Sequence, residues 1–150
     1  MEIIIKKFDE LTLNELYNIL KLRSQVFVVE QNCIYQDLDD IDKNSYHFFI
    51  KGNNDMIKVY LRIFEKDKET AQIGRVVTDE KERRKGLASV LMQRGIEFCK
   101  NDMKKNKVYL ERQVYCKNLY LKLGFIILDE FLDDGIFSEK TKLKFFNFFE

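Results

Sequence analysis

A basic, glycine-containing turn between a strand pattern and a helix pattern most constrains the fold. RRKGLA occupies residues 83 to 88, after the apolar run IGRVVT and before the amphipathic run ASVLMQRGIEF. A helix N-terminus leaves backbone N–H groups without intrahelical partners and carries partial positive charge, so it binds anions such as phosphate. Gly86 permits close backbone approach or a positive φ, and Ala88 is too small to block a ligand. Three side chains add positive charge: Arg83, Arg84 and Lys85.

These features predict a pyrophosphate-binding turn at the C-terminal end of a strand, where open sheets usually bind ligands. The alternative is a solvated basic turn before an ordinary helix. Two other nucleotide-binding patterns are excluded. The turn is not a P-loop, because no lysine-serine or lysine-threonine pair closes a longer glycine loop, and it lacks the three glycines of the dinucleotide fingerprint.

Length and charge predict one domain with no large electrostatic field. The chain has 150 residues, and 26 basic against 25 acidic side chains leave a formal net charge of +1. This length suits a single domain over residues 1–150, and the balanced charge argues against a nucleic-acid or membrane partner. The opening MEIIIKKFDE is too short and too charged for a secretory signal, so we expect a cytoplasmic protein.

The three cysteines do not suggest cross-links or metal binding. Cys33, Cys99 and Cys116 are odd in number, widely spaced and without a CxxC pair. Neither a disulfide framework nor a zinc site is therefore expected. We interpret the three residues as packing thiols.

The first third of the chain predicts a strand, a helix and an acidic loop. EIIIKKF at residues 2 to 8 is rich in β-branched residues, and Thr12 with Glu15 has the spacing of a capping box. The helix is expected to reach about residue 29. Its apolar face is predicted from residues at helical intervals: Leu13, Leu16, Tyr17, Leu20 and Phe27. The polar run QNCIYQDLDDIDKNS then predicts a loop.

The remaining chain alternates further strands with two helices. HFFIKG and IKVYLRIFE, separated by Gly52-Asn53-Asn54, predict a hairpin, and AQIGRVVT predicts another antiparallel strand. A helix over residues 86 to 100 follows, then the strand KVYLE and a short helix over 115 to 123. GFIILDEF and KLKFFNFF are expected to close the sheet. The order predicts an α/β fold (α+β in some schemes), with a mixed sheet of about seven strands flanked by helices.

The order of these elements and two separated motifs resemble the GNAT superfamily of acyl-coenzyme A dependent N-acetyltransferases. In RRKGLA, Arg83, Gly86 and Ala88 match that family's pyrophosphate motif. YLKLGF, from Tyr120 to Phe125, is similar to its second motif. The run LYNILKLRSQVFVVEQNCIYQDLDDID closely resembles the opening of the ElaA-like group. The chain departs from the group's usual pattern at Ile34, where proline is usual, and at Phe137 and Ser138, where proline and histidine are usual.

The resemblance implies a mostly antiparallel GNAT sheet and a coenzyme site with acetyl-coenzyme A as cosubstrate and no metal. The strand before the phosphate turn would splay from its neighbour and expose backbone groups to the thioester, here at Val76, Val77 and Thr78. The other residues implied to bind the coenzyme are Arg83, Arg84, Lys85, Gly86, Leu87, Ala88, Ser89 and Gln113. Gln113 stands where many relatives carry an asparagine, although it could equally be a surface glutamine.

The resemblance also places Tyr120 as the proton donor to the leaving thiolate, because a phenol stays mostly neutral near pH 7. The alternative is a core tyrosine with a satisfied hydroxyl. A base for the amine is less clear. Glu30 could be a partly buried carboxylate with a raised pKa or a surface charge, and His47 could be the base or a structural residue. Arg62 and Arg75 alternate with apolar strand residues and could face a cleft or solvent.

The acidic run predicts either substrate attraction or a solvated loop. Its carboxylates could attract a cationic amine such as a polyamine or a lysine side chain. The spacing of a calcium loop is missing. The four carboxylates are Asp37, Asp39, Asp40 and Asp42.

Three functions follow from these observations. The first is transfer of an acetyl group to a primary amine, on a small molecule or a peptide, through a tetrahedral intermediate. The second is a non-catalytic acyl-coenzyme A sensor or partner-binding module. The third, a nucleic-acid binder using RRK and KNDMKKNK, is disfavoured by the near-zero net charge. The apolar KLKFFNFF end could pair two subunits into a homodimer or simply close the sheet.

Overall fold

A computed structural model of the protein describes residues 1–32, 34–113, 126–133 and 136–144. Seven strands form one sheet. They are β1 Ile4–Lys7, β2 Tyr46–Lys51, β3 Ile57–Glu65, β4 Thr70–Thr78, β5 Lys107–Gln113, β6 Ile126–Asp133 and β7 Ile136–Lys144. Two longer helices are α1, Leu13–Arg23, which continues as a π-helical segment over Ser24–Glu30, and α2, Leu87–Asn101.

The sheet is mixed and mostly antiparallel, as predicted. Its strand order is β1-β2-β3-β4-β5-β7-β6, and among the pairs of this sheet only β4 and β5 run parallel. The predicted α/β class, with about seven strands flanked by helices, is therefore confirmed. None of the helices in the described part of the chain is long and apolar enough to cross a membrane.

The two faces of the sheet bury two separate apolar clusters. Alternate residues of a strand point to opposite faces, so Phe48 and Leu61 pack against α2 while Phe49 and Tyr60 pack against α1. Gly95 lets α2 approach the sheet closely, since an added Cβ would lie 3.1 Å from Ile63 Cδ1. Cys99 is a fully buried packing thiol on the same helix, whereas Cys33 and Cys116 lie outside the described residues.

The predicted helix start is correct, but the predicted apolar face of α1 is only partly correct. Thr12 and Glu15 form the expected capping box. Leu13 and Tyr17, however, are 87% and 69% exposed. Phe27 is buried as predicted, and the rest of the inward face is formed by Glu15, Ile19, Leu22, Arg23 and Val26. The prediction failed because two of these inward residues are charged and are buried only by virtue of their ion pairs.

Glu15 shows how such a charge is accommodated. It is 2% exposed and accepts from Lys6 Nζ at 2.9 Å, and Lys51 Nζ lies 2.8 Å from its other carboxylate oxygen. Burial raises the pKa of this carboxyl, but the hydrogen bonds from Lys51, the Thr12 backbone and Lys6 outweigh it and lower the pKa to about 2. The N-terminus of α1 is therefore bound to β1 and β2 by charge.

The last strand begins earlier than predicted. β7 spans Ile136–Lys144 instead of starting at Lys142, and it pairs along its length with β5 and β6. Only two residues separate it from β6, and they are Asp-Gly, a dipeptide that favours tight hairpins. This dipeptide indicates that the last strand begins directly after it, earlier than Lys142.

Candidate active site

The predicted phosphate turn lies between the C-terminal end of β4 and the first turn of α2. Gly86 is the N-cap of α2 with a φ of 78°, and apart from atoms of the adjoining chain segment, no atom lies within 4 Å of the position that its Cβ would occupy. The Val90 N–H makes the first intrahelical bond, to the Gly86 carbonyl at 3.1 Å. The preceding N–H groups, of Leu87, Ala88 and Ser89, therefore have no partner within the helix. This open, electropositive cradle fits a pyrophosphate.

Two of the three basic side chains of the turn are held by acidic neighbours. Arg83 donates to both carboxylate oxygens of Glu30, at 2.6 and 2.9 Å, and Lys85 Nζ donates to Glu82 at 2.6 Å. Arg84 is exposed and has a φ of 65°. The turn thus contains two residues in the left-handed region, and its first arginine is bound to the end of the π-helical segment.

Of the two alternatives for Glu30, the partly buried carboxylate with a raised pKa is contradicted. The bidentate hydrogen bonds from Arg83, and the charge of that guanidinium, hold the pKa of Glu30 below its ordinary value. A general base works best when its pKa lies near the working pH. Glu30 in this geometry is therefore a poor candidate for the base and instead a partner of the phosphate turn.

Replacing Glu30 with glutamine should strengthen coenzyme A binding. If Arg83 binds the pyrophosphate as predicted, the change removes a charge that competes for its guanidinium. Exposed ion pairs contribute about 0.2–1 kcal/mol, so the dissociation constant measured by calorimetry should fall by about 1.5- to fivefold. Asp40→Asn, which removes only a surface pair with Lys43, is the control and should leave the constant unchanged. Weaker binding by the Glu30 variant would show that Glu30 supports Arg83 instead of competing for it.

β4 and β5 pair over a short distance and then part. The register runs from Thr70 opposite Lys107 to Ile73 opposite Leu110, and it includes only four pairs. Beyond Ile73, β4 remains paired only with β3. Asp79 N–H bonds the Lys58 carbonyl at 2.8 Å, so the adjacent Thr78 carbonyl points away from β3, and it accepts from Arg83 Nε at 3.3 Å. One edge of β4 thus borders a gap that leads to the phosphate turn.

The three β4 residues predicted to face the coenzyme lie along this gap. Val76 packs against the cluster on the α2 face, and Val77 is buried against α1. Thr78 is half-buried. The side chains of the two valines therefore pack toward opposite faces of the sheet, and the unpaired backbone of this segment borders the gap.

A closed ring of alternating charges lies on the α1 face of the sheet, and we call it the Asp–Arg ring. Arg23 binds Asp37 at 3.0 Å and Asp42 at 2.7 Å. Arg62 binds Asp42 at 2.9 Å and Asp39 at 2.6 Å. Arg75 closes the ring, binding Asp37 at 2.8 Å and Asp39 at 3.3 Å. The six members are Arg23, Asp37, Arg75, Asp39, Arg62 and Asp42.

The ring contradicts the interpretation of the acidic run as a solvated loop. Asp37 and Asp42 are each 6% exposed, and only Asp40 has a fully solvated side chain. Burial raises the pKa of Asp39, but the Arg62 guanidinium outweighs it and lowers the pKa. Three arginines balance three aspartates, so the run presents little net charge with which to attract a cationic amine. Arg62 and Arg75 likewise bind this chain's own carboxylates.

His47 lies beneath the ring and is fully occupied by internal hydrogen bonds. Nε2 lies 2.9 Å from the Asp42 carbonyl oxygen, and Nδ1 lies 2.7 Å from the Tyr60 hydroxyl. Because a carbonyl only accepts, Nε2 carries the proton and Nδ1 accepts from Tyr60. His47 is 1% exposed, and burial lowers its pKa. This geometry favours the structural role, not that of the base.

The free energy of unfolding should fall as the pH falls from about 7 to 5. Folded His47 resists protonation, whereas the unfolded side chain binds a proton near its ordinary pKa of about 6.5. The unfolded state then holds more protons, so stability is lost on acidification, by at most about 1.4 kcal/mol per pH unit. Urea unfolding at several pH values measures this slope. His47 is the sole histidine, so a His47→Gln variant should reduce the slope of the unfolding free energy against pH. An unchanged slope would show that groups other than His47 cause the pH dependence.

Two predicted site residues are described only in part or not at all. Gln113 ends β5, opposite Ser138 of β7. Tyr120 and the predicted short helix over 115 to 123 lie outside the described residues. In the described part of the chain, the phosphate turn, the β4 segment and Glu30 come together, whereas His47 lies among the partners of the Asp–Arg ring.

Sequence reasoning missed Arg23, Tyr35 and Tyr60 as members of the network. Tyr35 donates to Asp37 at 2.9 Å and lies 5.7 Å from the Arg75 guanidinium, measured at its ring centroid. Arg62 provided a signal that could have found the network, since it stands between Leu61 and Ile63 in a strand with apolar residues on both faces. A buried arginine requires carboxylate partners, and the nearby acidic run offered them.

Comparisons with known proteins agree with this architecture. A family profile described as "Acetyltransferase (GNAT) domain" matches residues 13–140. A UPF0039 protein of Schizosaccharomyces pombe is 38% identical over 146 residues, covering 96% of this chain and 97% of that protein. Protein ElaA of Escherichia coli is 40% identical over 132 residues, covering 85% of this chain and 86% of ElaA.

Solved structures show the same fold over nearly the whole chain. The crystal structure of Escherichia coli ElaA has a TM-score of 0.87, with 33% identity over 96% of this chain and all of that one. An acyl-CoA N-acyltransferase from Pseudomonas aeruginosa has a TM-score of 0.86, with 31% identity over 95% of this chain and 99% of that one. The splayed β4 and β5, the glycine turn at the N-terminus of α2 and these likenesses together lead to one conclusion: the chain belongs to the GNAT acetyltransferase family, in its ElaA-like group.

Proposed function

We propose that the protein transfers an acetyl group from acetyl-coenzyme A to a primary amine. The observation that carries the proposal is the open N-terminus of α2 at the end of a gap between β4 and β5. The turn would hold the pyrophosphate through the backbone N–H groups of Leu87, Ala88 and Ser89 and through Arg83, Arg84 and Lys85. The gap would then hold the extended pantetheine arm along the free edge of β4.

In the proposed reaction, the amine nitrogen attacks the thioester carbonyl carbon and the C–S bond breaks. Negative charge develops on the carbonyl oxygen, where a backbone N–H at the free edge of β4 would stabilise it. Tyr120 would give its proton to the departing thiolate, and Gln113 would contact the coenzyme. Because Glu30 and His47 are both engaged within the chain, we propose that the amine loses its proton to water.

The acceptor amine is proposed to be a small molecule or a peptide. The Asp–Arg ring removes the reason to favour polyamines, because its carboxylates are already balanced by arginines. We also propose that the protein acts in the cytoplasm, where thiols stay reduced. Cys99 is a buried free thiol, and the chain has an odd number of cysteines. We further propose that residues 1–150 form one domain, and that the apolar residues after Lys144 could join two copies.

Thiol release from acetyl-coenzyme A tests this function over a panel of amines: spermine, lysine, phenethylamine and a peptide with a free N-terminus. The proposal predicts amine-dependent release together with a product heavier by one acetyl group in mass spectrometry. Binding of the coenzyme without release for any amine would instead favour a non-catalytic acyl-coenzyme A sensor. The Gly86→Glu variant is the negative control.

A further inference from the structure

Arg75 combines an unusual backbone conformation with an unusually well-held side chain. The β3–β4 register shifts by one residue, since Tyr60 pairs with Val77 while Arg62 pairs with Gly74. The extra residue lies in this interval as a β-bulge, and Arg75 has a φ of 53° there. Residues other than glycine, asparagine and aspartate rarely adopt that conformation, because it costs free energy. Favourable contacts of the side chain can offset this cost.

The Asp–Arg ring supplies such contacts to Arg75. Arg75 Nε donates to Asp37 Oδ1 at 2.8 Å, and Nη2 donates to the Asp37 carbonyl at 3.1 Å and to Asp39 at 3.3 Å. The guanidinium therefore hydrogen-bonds to both the side chain and the backbone of Asp37. The Tyr35 ring adds a cation–π contact on the same group.

Asp37 is in turn fixed to the helix. Arg23, which is fully buried, donates to the Asp37 carboxylate at 3.0 Å and to its carbonyl at 3.1 Å. Arg23 stands at the end of α1, where the π-helical segment begins. A continuous chain of charge-assisted hydrogen bonds thus connects the end of α1 to the bulge of β4.

The bulge stands where β4 loses its partner β5. Pairing with β5 stops at Ile73, two residues before Arg75. The backbone that follows is held on one side by β3 alone, and bulges re-aim the strand that contains them. The direction of the free N–H and C=O groups beside the gap therefore depends on how firmly the bulge is held.

We propose that Asp37 and Asp39 are positioning residues that hold Arg75, and with it the free edge of β4, in the orientation required by the thioester carbonyl. The inference rests on the proposed acetyl transfer and adds to it a role for the acidic loop. The loop acts on the reaction through the bulge and not by attracting the amine.

The Arg75→Gly variant removes the side-chain hydrogen bonds to Asp37 and Asp39 while allowing the backbone to keep its positive φ. Glycine adopts a positive φ readily, and Asp37 and Asp39 keep Arg23 and Arg62 as partners, so the variant should fold. Its kcat should fall about 10- to 100-fold, as expected when reacting groups are misplaced by about 1 Å, while the dissociation constant of acetyl-coenzyme A changes less than threefold. Lys104→Gly is the matched control, since Lys104 is an exposed cation with a φ of 58° beyond the far end of α2.

A second pair of variants guards against a folding defect. Asp39→Asn weakens the ion pair between residue 39 and Arg75 and should also lower kcat. The neighbouring Asp40→Asn should leave kcat unchanged. Asp79 N–H bonds to β3, so by alternation Val77 N–H also faces β3. Amide hydrogen exchange at Val77 should become faster in Arg75→Gly and stay the same in Lys104→Gly. This readout does not require that the natural amine be known.

The outcomes separate the inference from the function on which it rests. Folded Arg75→Gly that keeps the wild-type kcat, or wild-type exchange at the Val77 amide where no amine is turned over, would overturn the inference alone. Wild-type protein that binds no acetyl-coenzyme A would overturn the proposed function and the inference together.

Discussion

Replacing Tyr120 with phenylalanine should lower kcat by about 100-fold or more while leaving acetyl-coenzyme A affinity nearly unchanged. The variant keeps the ring and loses only the proton that the hydroxyl would give to the thiolate, and positioned acid–base groups contribute about 10²–10⁴ in rate. Steady-state kinetics with the best amine of the panel measures kcat and KM separately.

Tyr17→Phe serves as the control for the Tyr120 variant, because Tyr17 is 69% exposed on α1. The same chemical change there should alter neither constant. If Tyr120→Phe retains wild-type kcat, the proton donor is another group, and the resemblance that placed Tyr120 in that role would be misleading for this chain.

Gly86→Glu should weaken acetyl-coenzyme A binding by at least about tenfold. The substitution forces a side chain onto a φ of 78° and brings a carboxylate to the helix N-terminus. A carboxylate there would compete with the pyrophosphate for the same N–H groups and partial charge. Calorimetric titration gives the dissociation constant directly.

Gly86→Gln separates strain from charge in this experiment. Glutamine has nearly the same size and the same backbone preference as glutamate but no charge. We expect its binding to fall between that of the wild type and that of Gly86→Glu. Equal affinities for the two variants would show that backbone strain alone, and not anion competition, explains the loss.

Local patterns were enough to predict most of the fold. The hairpin of β2 and β3, the strand β4 and the helix α2 each show a clear period and a turn or cap at their ends, and the structure places them within a few residues of the prediction. The phosphate turn was equally visible, because a strand, a glycine and a helix start are consecutive in sequence. The backbone elements that frame the candidate site can therefore be predicted largely from residues that are close in sequence.

The Asp–Arg ring could not be predicted in the same way. Its partners stand 14 residues apart for Arg23 and Asp37 and 38 apart for Arg75 and Asp37, so they meet only through the tertiary fold. Polar residues were assigned to solvent by default, which placed the inward face of α1 wrongly and made the acidic run a solvated loop. The partners of the two candidate bases were likewise not visible in the sequence: Arg83 binds Glu30, and Tyr60 and the Asp42 backbone bind His47.

The proposed acetyl transfer depends first on binding of the acetyl-coenzyme A pyrophosphate by the turn before α2. Calorimetric titration of the wild-type protein with acetyl-coenzyme A, in parallel with Gly86→Glu, measures this binding. We expect saturable binding by the wild type and binding at least about tenfold weaker in the variant. Absence of binding by the wild type, or equal affinity in the two proteins, would contradict this expectation.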